Sequence, residues 1–314
     1  MKIALLEALG IPADLLATLE APFIAEGHTF VHYDRTADGN TLCAETADAD
    51  AVILANMPFP AAAIEAGKQL RFIDVAFTGV DHVAMSTARE RGIAVSNASG
   101  YSNEAVPELG IGMALMLLRN IPQVEQRCRE GGTKAGLVGG ELKGRTVGIV
   151  GLGNLGRRAA ELYHAFGCRV LASSRTVHAD CPAYVTEVPL EQLLRESDIV
   201  QLHCPLNAST RGMIDSAKLA IMKPTAFLIN LARGPVVNAA DLADALNRDV
   251  IAGAGIDVFD AEPPLPATEP LLQAKHTVLT PHVAFATAES MKLRAEIVFG
   301  NLRAFLDGKP VNLV

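Results

Sequence analysis

Five cysteines are few for 314 residues, and no two of them form a C-x-x-C pair. Cys43, Cys128, Cys168, Cys181 and Cys204 are odd in number, which argues against a disulfide framework or a zinc site and for a reducing, cytoplasmic compartment. No run of Lys or Arg occurs and the formal net charge is -8, so nucleic acid and anionic membrane surfaces are not expected partners. A small anionic substrate is still allowed, because a few local positive groups suffice. No stretch approaches the roughly 18 apolar residues of a membrane span. The opening "MKIALLEALGIPADLL" is broken at Gly10 and Pro12 and then turns acidic, unlike a signal peptide. Low-complexity segments and short repeats are absent. His28, His32, His82, His164, His178 and His276 show no metal-ligand spacing such as H-E-x-x-H, so no metal is expected.

What is present is an ordinary globular composition, 50% hydrophobic and 20% charged, long enough for one large domain or two medium ones. Short apolar segments alternate with helical ones. "KIALLE", "HTFVHY", "DAVILA", "FIDVAF" and "IAVSN" read as strands, with helix-like stretches such as 60–67 and 81–91 between them. Residues 103–128 read as one long helix, with Pro107 tolerated near its start and Pro122 expected to kink or shorten it. After a Gly-rich loop at 130–144 the rhythm restarts with "RTVGIV", "RVLASS", "DIVQLH", "AFLINL", "IAGAGID" and "TVLT". An amphipathic helix over about 287–307 closes the chain. This β-α-β pattern predicts two α/β units, each with a parallel sheet covered on both faces.

Only the second unit carries a glycine fingerprint, Gly151-x-Gly153-x-x-Gly156. It follows an apolar strand and opens a helix, the context that a dinucleotide site requires. Gly151 permits the tight turn, Gly153 lets backbone approach a pyrophosphate, and Gly156 allows close helix–strand packing. The next strand ends in "SSRT", without the Asp or Glu that usually accepts the ribose hydroxyls of NAD. Arg175, with Ser174 and Thr176, could instead hold a 2′-phosphate, so the sequence favours NADP(H) over NAD(H).

Three ionisable residues follow apolar strands at their carboxyl ends: Arg233 in "NLARGPVV", Glu262 in "GIDVFDAEPP" and His282 in "VLTPHVAFAT". Ligands of open α/β sheets bind at that edge. Singly, each reads as a loop or solvated residue. Together with the fingerprint, they suit hydride transfer to a carbonyl carbon. An imidazolium donates the proton, a carboxylate beside it favours the protonated form and fixes the ring, and a guanidinium grips a 2-oxo acid.

The stretches "FTGVDHVAMSTARERGIAVSNASGYSNEAVPELGIGMAL", "LKGRTVGIVGLGNLGRRAAELYHAFG", "HCPLNASTRGMID", "MKPTAFLINLARGPVVN", "GIDVFDAEPP" and "LTPHVA" resemble, in order and spacing, the D-2-hydroxyacid dehydrogenases. The resemblance covers nearly the whole chain. It implies two doubly wound parallel-sheet domains, a Rossmann cofactor domain at 102–284 inserted into a flavodoxin-like substrate domain built from 1–101 and 285–314. It also implies a homodimer with the long helix near residue 103 at the interface. Arg233 would bind and polarise the substrate, His282 would be the acid/base and Glu262 its partner. Backbone N–H groups around Thr78 and Gly79 would receive the substrate carboxylate. Asn154 and Leu155 would lie over the pyrophosphate, and His203, Cys204, Pro205, Leu231, Ala232 and Asp257 would flank the adenosine or nicotinamide. Ser174 departs from the family's commoner Asp and resembles the NADP-using glyoxylate and hydroxypyruvate reductases.

The expected activity is therefore reduction of a small 2-oxo acid to its D-2-hydroxy acid. Glu262 argues against the related formate dehydrogenases, which carry Gln there. Phosphite or D-3-phosphoglycerate oxidation on the same scaffold is the alternative. A phosphorylated substrate would want extra cations on the first-unit loops, whereas "ANMPFPAA" at 55–63 is apolar and uncharged. A reading of another class, a nucleotide-sensing corepressor-like protein, would require an appended segment or cleft that the sequence does not display.

Overall fold

The computed structural model describes residues 1–176 and 179–314, which fall into two compact units, 1–102 with 286–314 and 103–285. His178 lies outside the described residues. In the first unit the chain runs β1 (Lys2–Leu5), α1 (Ala13–Ala25), β2 (Thr29–His32), α2 (Gly39–Thr46), β3 (Ala51–Leu54), α3 (Ala61–Ala66), β4 (Phe72–Val75), α4 (Met85–Glu90) and β5 (Ala94–Asn97). The five strands pair in parallel in the order β2-β1-β3-β4-β5, the flavodoxin-like arrangement. Strands buried on both faces read as continuous apolar runs. "AVIL" of β3 is one, and all four of its residues are buried.

The second unit holds α5 (Ala105–Leu118), α6 (Ile121–Arg129), β6 (Thr146–Val150), α7 (Asn154–Ala165), β7 (Arg169–Ser173), β8 (Val185–Glu187), α8 (Leu190–Glu196), β9 (Ile199–Leu202), α9 (Ser216–Ala220), β10 (Phe227–Asn230), α10 (Ala239–Asn247), β11 (Gly253–Ile256) and β12 (Thr277–Leu279). Its sheet is parallel throughout, ordered β12-β11-β10-β9-β6-β7-β8. That is the dinucleotide-fold order with one further strand, and it reverses direction between β6 and β9.

Two expectations need correction. The single helix over 103–128 is two helices. Asn120 adopts a left-handed conformation (φ 51°) and Pro122 sits in the first turn of α6, where its missing N–H costs nothing. The second unit also has a seventh strand, β8, whose sequence "VTE" holds one apolar residue and so gives no apolar run.

The chain then returns to the first unit as α11 (Ala288–Leu306). A capping box of Thr287 and Ser290 starts this helix. Aromatic contacts hold it to the sheet layer: Phe305 stacks on Phe72 at 4.4 Å, and Phe299 meets Phe23 and Phe30, each at 5.8 Å. Arg303 adds a bidentate pair with Glu26 at 2.7 and 2.9 Å.

Candidate active site

The fingerprint lies where β6 turns into α7, next to the point where the strand order reverses. Gly151 has φ 97°, and Gly156 packs so closely that an added Cβ would fall 1.9 Å from the Gly151 carbonyl oxygen. A Cβ on Gly153, by contrast, would meet nothing within 4 Å. Gly153 caps α7 without a side-chain hydrogen bond, so the first backbone N–H groups, from Asn154 onward, face outward at the positive end of the helix dipole. Tight packing on one side and open space on the other fit a dinucleotide's pyrophosphate.

Arg233, Glu262 and His282 all belong to the second unit, beyond β10, β11 and β12. Gly234 explains how the first two loops come together. Its missing Cβ would be 2.0 Å from the Phe259 carbonyl carbon and oxygen, so only glycine lets the Arg233 loop lie against the segment leading to Glu262. Arg233 is half-buried, and its Nη1 donates to the Ala232 carbonyl at 2.8 Å. Asn230 pins this turn from within, donating to the Arg233 carbonyl at 3.0 Å and accepting from Ala232 N–H at 3.0 Å.

His282 sits in a turn clamped by Asp257, which is fully buried. The Asp257 carboxylate accepts from Thr280 Oγ1 at 2.5 Å, Val283 N–H at 2.9 Å and Ala284 N–H at 2.9 Å, while its backbone carbonyl accepts from His282 N–H at 2.7 Å. This clamp stabilises the positive φ of 56° at His282. The imidazole Nδ1 lies 2.9 and 3.0 Å from the two Glu262 oxygens, and the ring packs edge-on to Phe285 at 5.7 Å. With Nδ1–H donating to the carboxylate, Nε2 is the nitrogen left for proton transfer. The side chain of His282 is 11% exposed and that of Glu262 is 44%, so the pair is reachable but the ring is largely enclosed.

The family model described as "D-isomer specific 2-hydroxyacid dehydrogenase, NAD binding domain" matches residues 111–284. A hydroxypyruvate reductase of Blautia hydrogenotrophica is 35% identical, over 90% of each chain. The chain belongs to the D-isomer-specific 2-hydroxyacid dehydrogenase family. It is thus an oxidoreductase of the NAD-binding kind. A glyoxylate reductase of Korarchaeum cryptofilum is 39% identical over 85% of this chain and 83% of its own. The solved structure of an acyclic imino acid reductase in complex with NADPH and D-Arg superposes with a TM-score of 0.90 at 26% identity, covering 100% of both chains.

Around the fingerprint of this dehydrogenase, His203 follows β9 and is linked inward. Tyr163 Oη donates to Gln201 Oε1 at 2.7 Å, and Gln201 Nε2 lies 2.9 Å from His203 Nε2. The Gln201 amide therefore donates to the ring, and burial pushes His203 down to about 4, so it is neutral. Burial raises the Cys204 thiol to about 11, which suits a packing residue and not a nucleophile. Leu231 and Ala232 are buried, whereas Pro205 is exposed.

At the end of β7, Arg175 and Thr176 are exposed and Ser174 Oγ donates to the Thr176 carbonyl at 2.6 Å. Sequence reading missed what stands beside them. Glu187, the last residue of β8, brings a carboxylate oxygen 3.2 Å from Ser174 Oγ. The end of β7 thus has an acid beside it from the neighbouring strand, and the register Ala172↔Glu187 is what puts it there.

Thr78 and Gly79 stand in the first unit just beyond β4, Thr78 exposed and Gly79 half-buried. The apolar character of 55–63 there is core packing, because Met57 and Phe59 are buried. Charge was also missed: Glu7 accepts the N–H groups of Ala55 and Met57 at 2.7 and 2.8 Å and pairs with Arg35 at 2.6 Å. Among the described residues no helix is long and apolar enough to cross a membrane, and no group of three or more His, Cys, Asp or Glu is placed to hold a metal.

Proposed function

We propose that this dehydrogenase reduces a small 2-oxo acid of the glyoxylate or hydroxypyruvate type to the D-2-hydroxy acid, and that Arg233, Glu262 and His282 perform the chemistry. The observation that carries the reading is the bifurcated contact of His282 Nδ1 with Glu262, on a turn clamped by Asp257. A bound nicotinamide dinucleotide supplies the hydride. As the carbonyl oxygen gains charge, His282 gives it the proton from Nε2 while Glu262 stabilises the ring's charge. Arg233 holds the substrate carboxylate and polarises the carbonyl, and backbone N–H groups around Thr78 and Gly79 bind the carboxylate.

NADP(H) is favoured over NAD(H), on the strength of Arg175 and the hydroxyls of Ser174 and Thr176. Glu187 opposes a 2′-phosphate and keeps that preference small. The protein acts as a homodimer through the α5 region, in a reducing, cytoplasmic setting; its five cysteines are all free thiols.

Arg233→Ala should raise KM for the 2-oxo acid by tenfold or more, on the order of 1.5–3 kcal/mol for a charge-assisted contact, and lower kcat as well. His282→Ala should keep dinucleotide affinity and lose roughly 10²–10⁴ in kcat. Normal kinetics in either variant would remove that residue from the mechanism.

A further inference from the structure

The Thr78–Gly79 peptide is held from inside the first unit. Asn97, at the end of β5 and 7% exposed, donates from Nδ2 to the Thr78 carbonyl at 2.7 Å. Its Oδ1 accepts from Ser99 N–H at 3.3 Å, so both ends of the amide are assigned by their partners. In a trans peptide, the C=O of one residue and the N–H of the next point in opposite directions. Anchoring the Thr78 carbonyl inward on Asn97 therefore turns the Gly79 N–H outward, at the carboxyl end of the sheet where Thr78 is exposed.

Asn97 is itself fixed by a buried polar network. Its N–H donates to the Asn312 carbonyl at 3.0 Å, and its carbonyl accepts from Asn301 Nδ2 at 3.0 Å. Asn301 Nδ2 also donates to Asp74 Oδ1 at 3.0 Å, while Asn301 Oδ1 accepts from Asn312 Nδ2 at 2.8 Å. Asp74 is fully buried, and its second oxygen has no hydrogen-bond partner. Burial holds its carboxyl well above the usual range, which disfavours a buried negative charge behind Asn97. Residues from β4, α11 and the C-terminal segment thus form one network around Asn97, the residue that holds the Thr78 carbonyl.

We propose that Asn97 is a positioning residue for the substrate: it holds the Thr78–Gly79 peptide so that the Gly79 N–H meets the carboxylate of the 2-oxo acid. The proposal rests on the reading that this loop receives the carboxylate. Asn97 does not touch the substrate; it sets the direction of the group that does.

Asn97→Ala and Asn97→Leu test it. Both remove the donor, and the leucine keeps the branched shape with the same number of side-chain heavy atoms. Each should raise KM for the 2-oxo acid about tenfold, the worth of one hydrogen bond to a charged group. Each should leave kcat within about threefold and the NADPH dissociation constant unchanged. A merely structural role would lower the active fraction, and so kcat, without moving KM. KM within twofold of the parent in both variants would overturn the proposal. Gly79→Pro deletes the N–H itself and separates the two possible failures. If it raises KM while the Asn97 variants do not, Asn97 is not the positioning group. If it leaves KM unchanged, the carboxylate binds elsewhere and the underlying reading falls with the proposal.

Discussion

Asp257→Asn removes half of the clamp under His282 while keeping the side chain's shape. Today one carboxylate serves three donors, two on Oδ1 and one on Oδ2. An asparagine presents one oxygen and one NH₂. With its oxygen toward Thr280 and Val283, its NH₂ confronts the Ala284 N–H. With the amide reversed, two donors lose their acceptor instead. A buried donor left unsatisfied costs about 1–3 kcal/mol, and bonds to a charged acceptor are worth about 1.5–3 kcal/mol. The expected loss is therefore about 2–4 kcal/mol, or a fall in Tm on the order of 5–15 °C for a unit of this size. The turn carrying His282 should also loosen, with kcat reduced by tenfold or more. Calorimetry with steady-state kinetics reads both effects. An Asp257→Asn protein with unchanged Tm and kcat would show that the clamp neither stabilises the turn nor places the imidazole.

Glu187→Gln should raise the ratio of kcat/KM with NADPH to that with NADH about fivefold, since a carboxylate near a 2′-phosphate repels it by about 1 kcal/mol in a wet site; an unchanged or lower ratio would remove Glu187 from cofactor selection. Gly156→Ala should weaken dinucleotide binding at least tenfold in a fluorescence titration, because its Cβ would fall 1.9 Å from the Gly151 oxygen; affinity within twofold would refute the close-packing account. Asp74→Asn tests the buried acid through pH. The folded-state pKa is raised, so the native protein holds a proton that the unfolded chain releases above about pH 4, and stability declines by about 1.4 kcal/mol per pH unit from there until the folded-state pKa is passed. The asparagine variant should lack that decline, gaining on the parent as pH rises in chemical-denaturation series; parallel pH profiles would show that Asp74 does not titrate this way.

The strands were legible because buried parallel strands are written as continuous apolar runs, as in "AVIL" of β3 and "VGIV" of β6. The glycine fingerprint was legible because it stands at a strand's carboxyl end, where apolar patterning stops abruptly, and Arg233, Glu262 and His282 were singled out on the same ground. β8 was not legible, because "VTE" offers a single apolar residue, whereas the equally short edge strand β12 reads as "TVL". Glu187 went unseen with it, since its nearness to Ser174 arises from strand register and not from spacing along the chain. Asn97 was hidden for a related reason. The pairing of β4 with β5 brings Thr78 to it, and only the return of α11 to the first sheet adds Asn301 and Asn312. The break between α5 and α6 turned on one left-handed residue, Asn120, and the proline after it was the visible half of that signal.

Initial rates of NADPH and NADH oxidation, measured side by side over glyoxylate, hydroxypyruvate, pyruvate, phenylpyruvate and 2-oxoglutarate with the parent and His282→Ala, test the central claim most directly. The account predicts turnover of one or two small acids by the parent, faster with NADPH, and its near-complete loss in the variant while the dinucleotide still binds. Dinucleotide binding without turnover of any of these acids by the parent, or equal rates in both proteins, would contradict it and point to phosphite, a phosphorylated substrate or a nucleotide sensor.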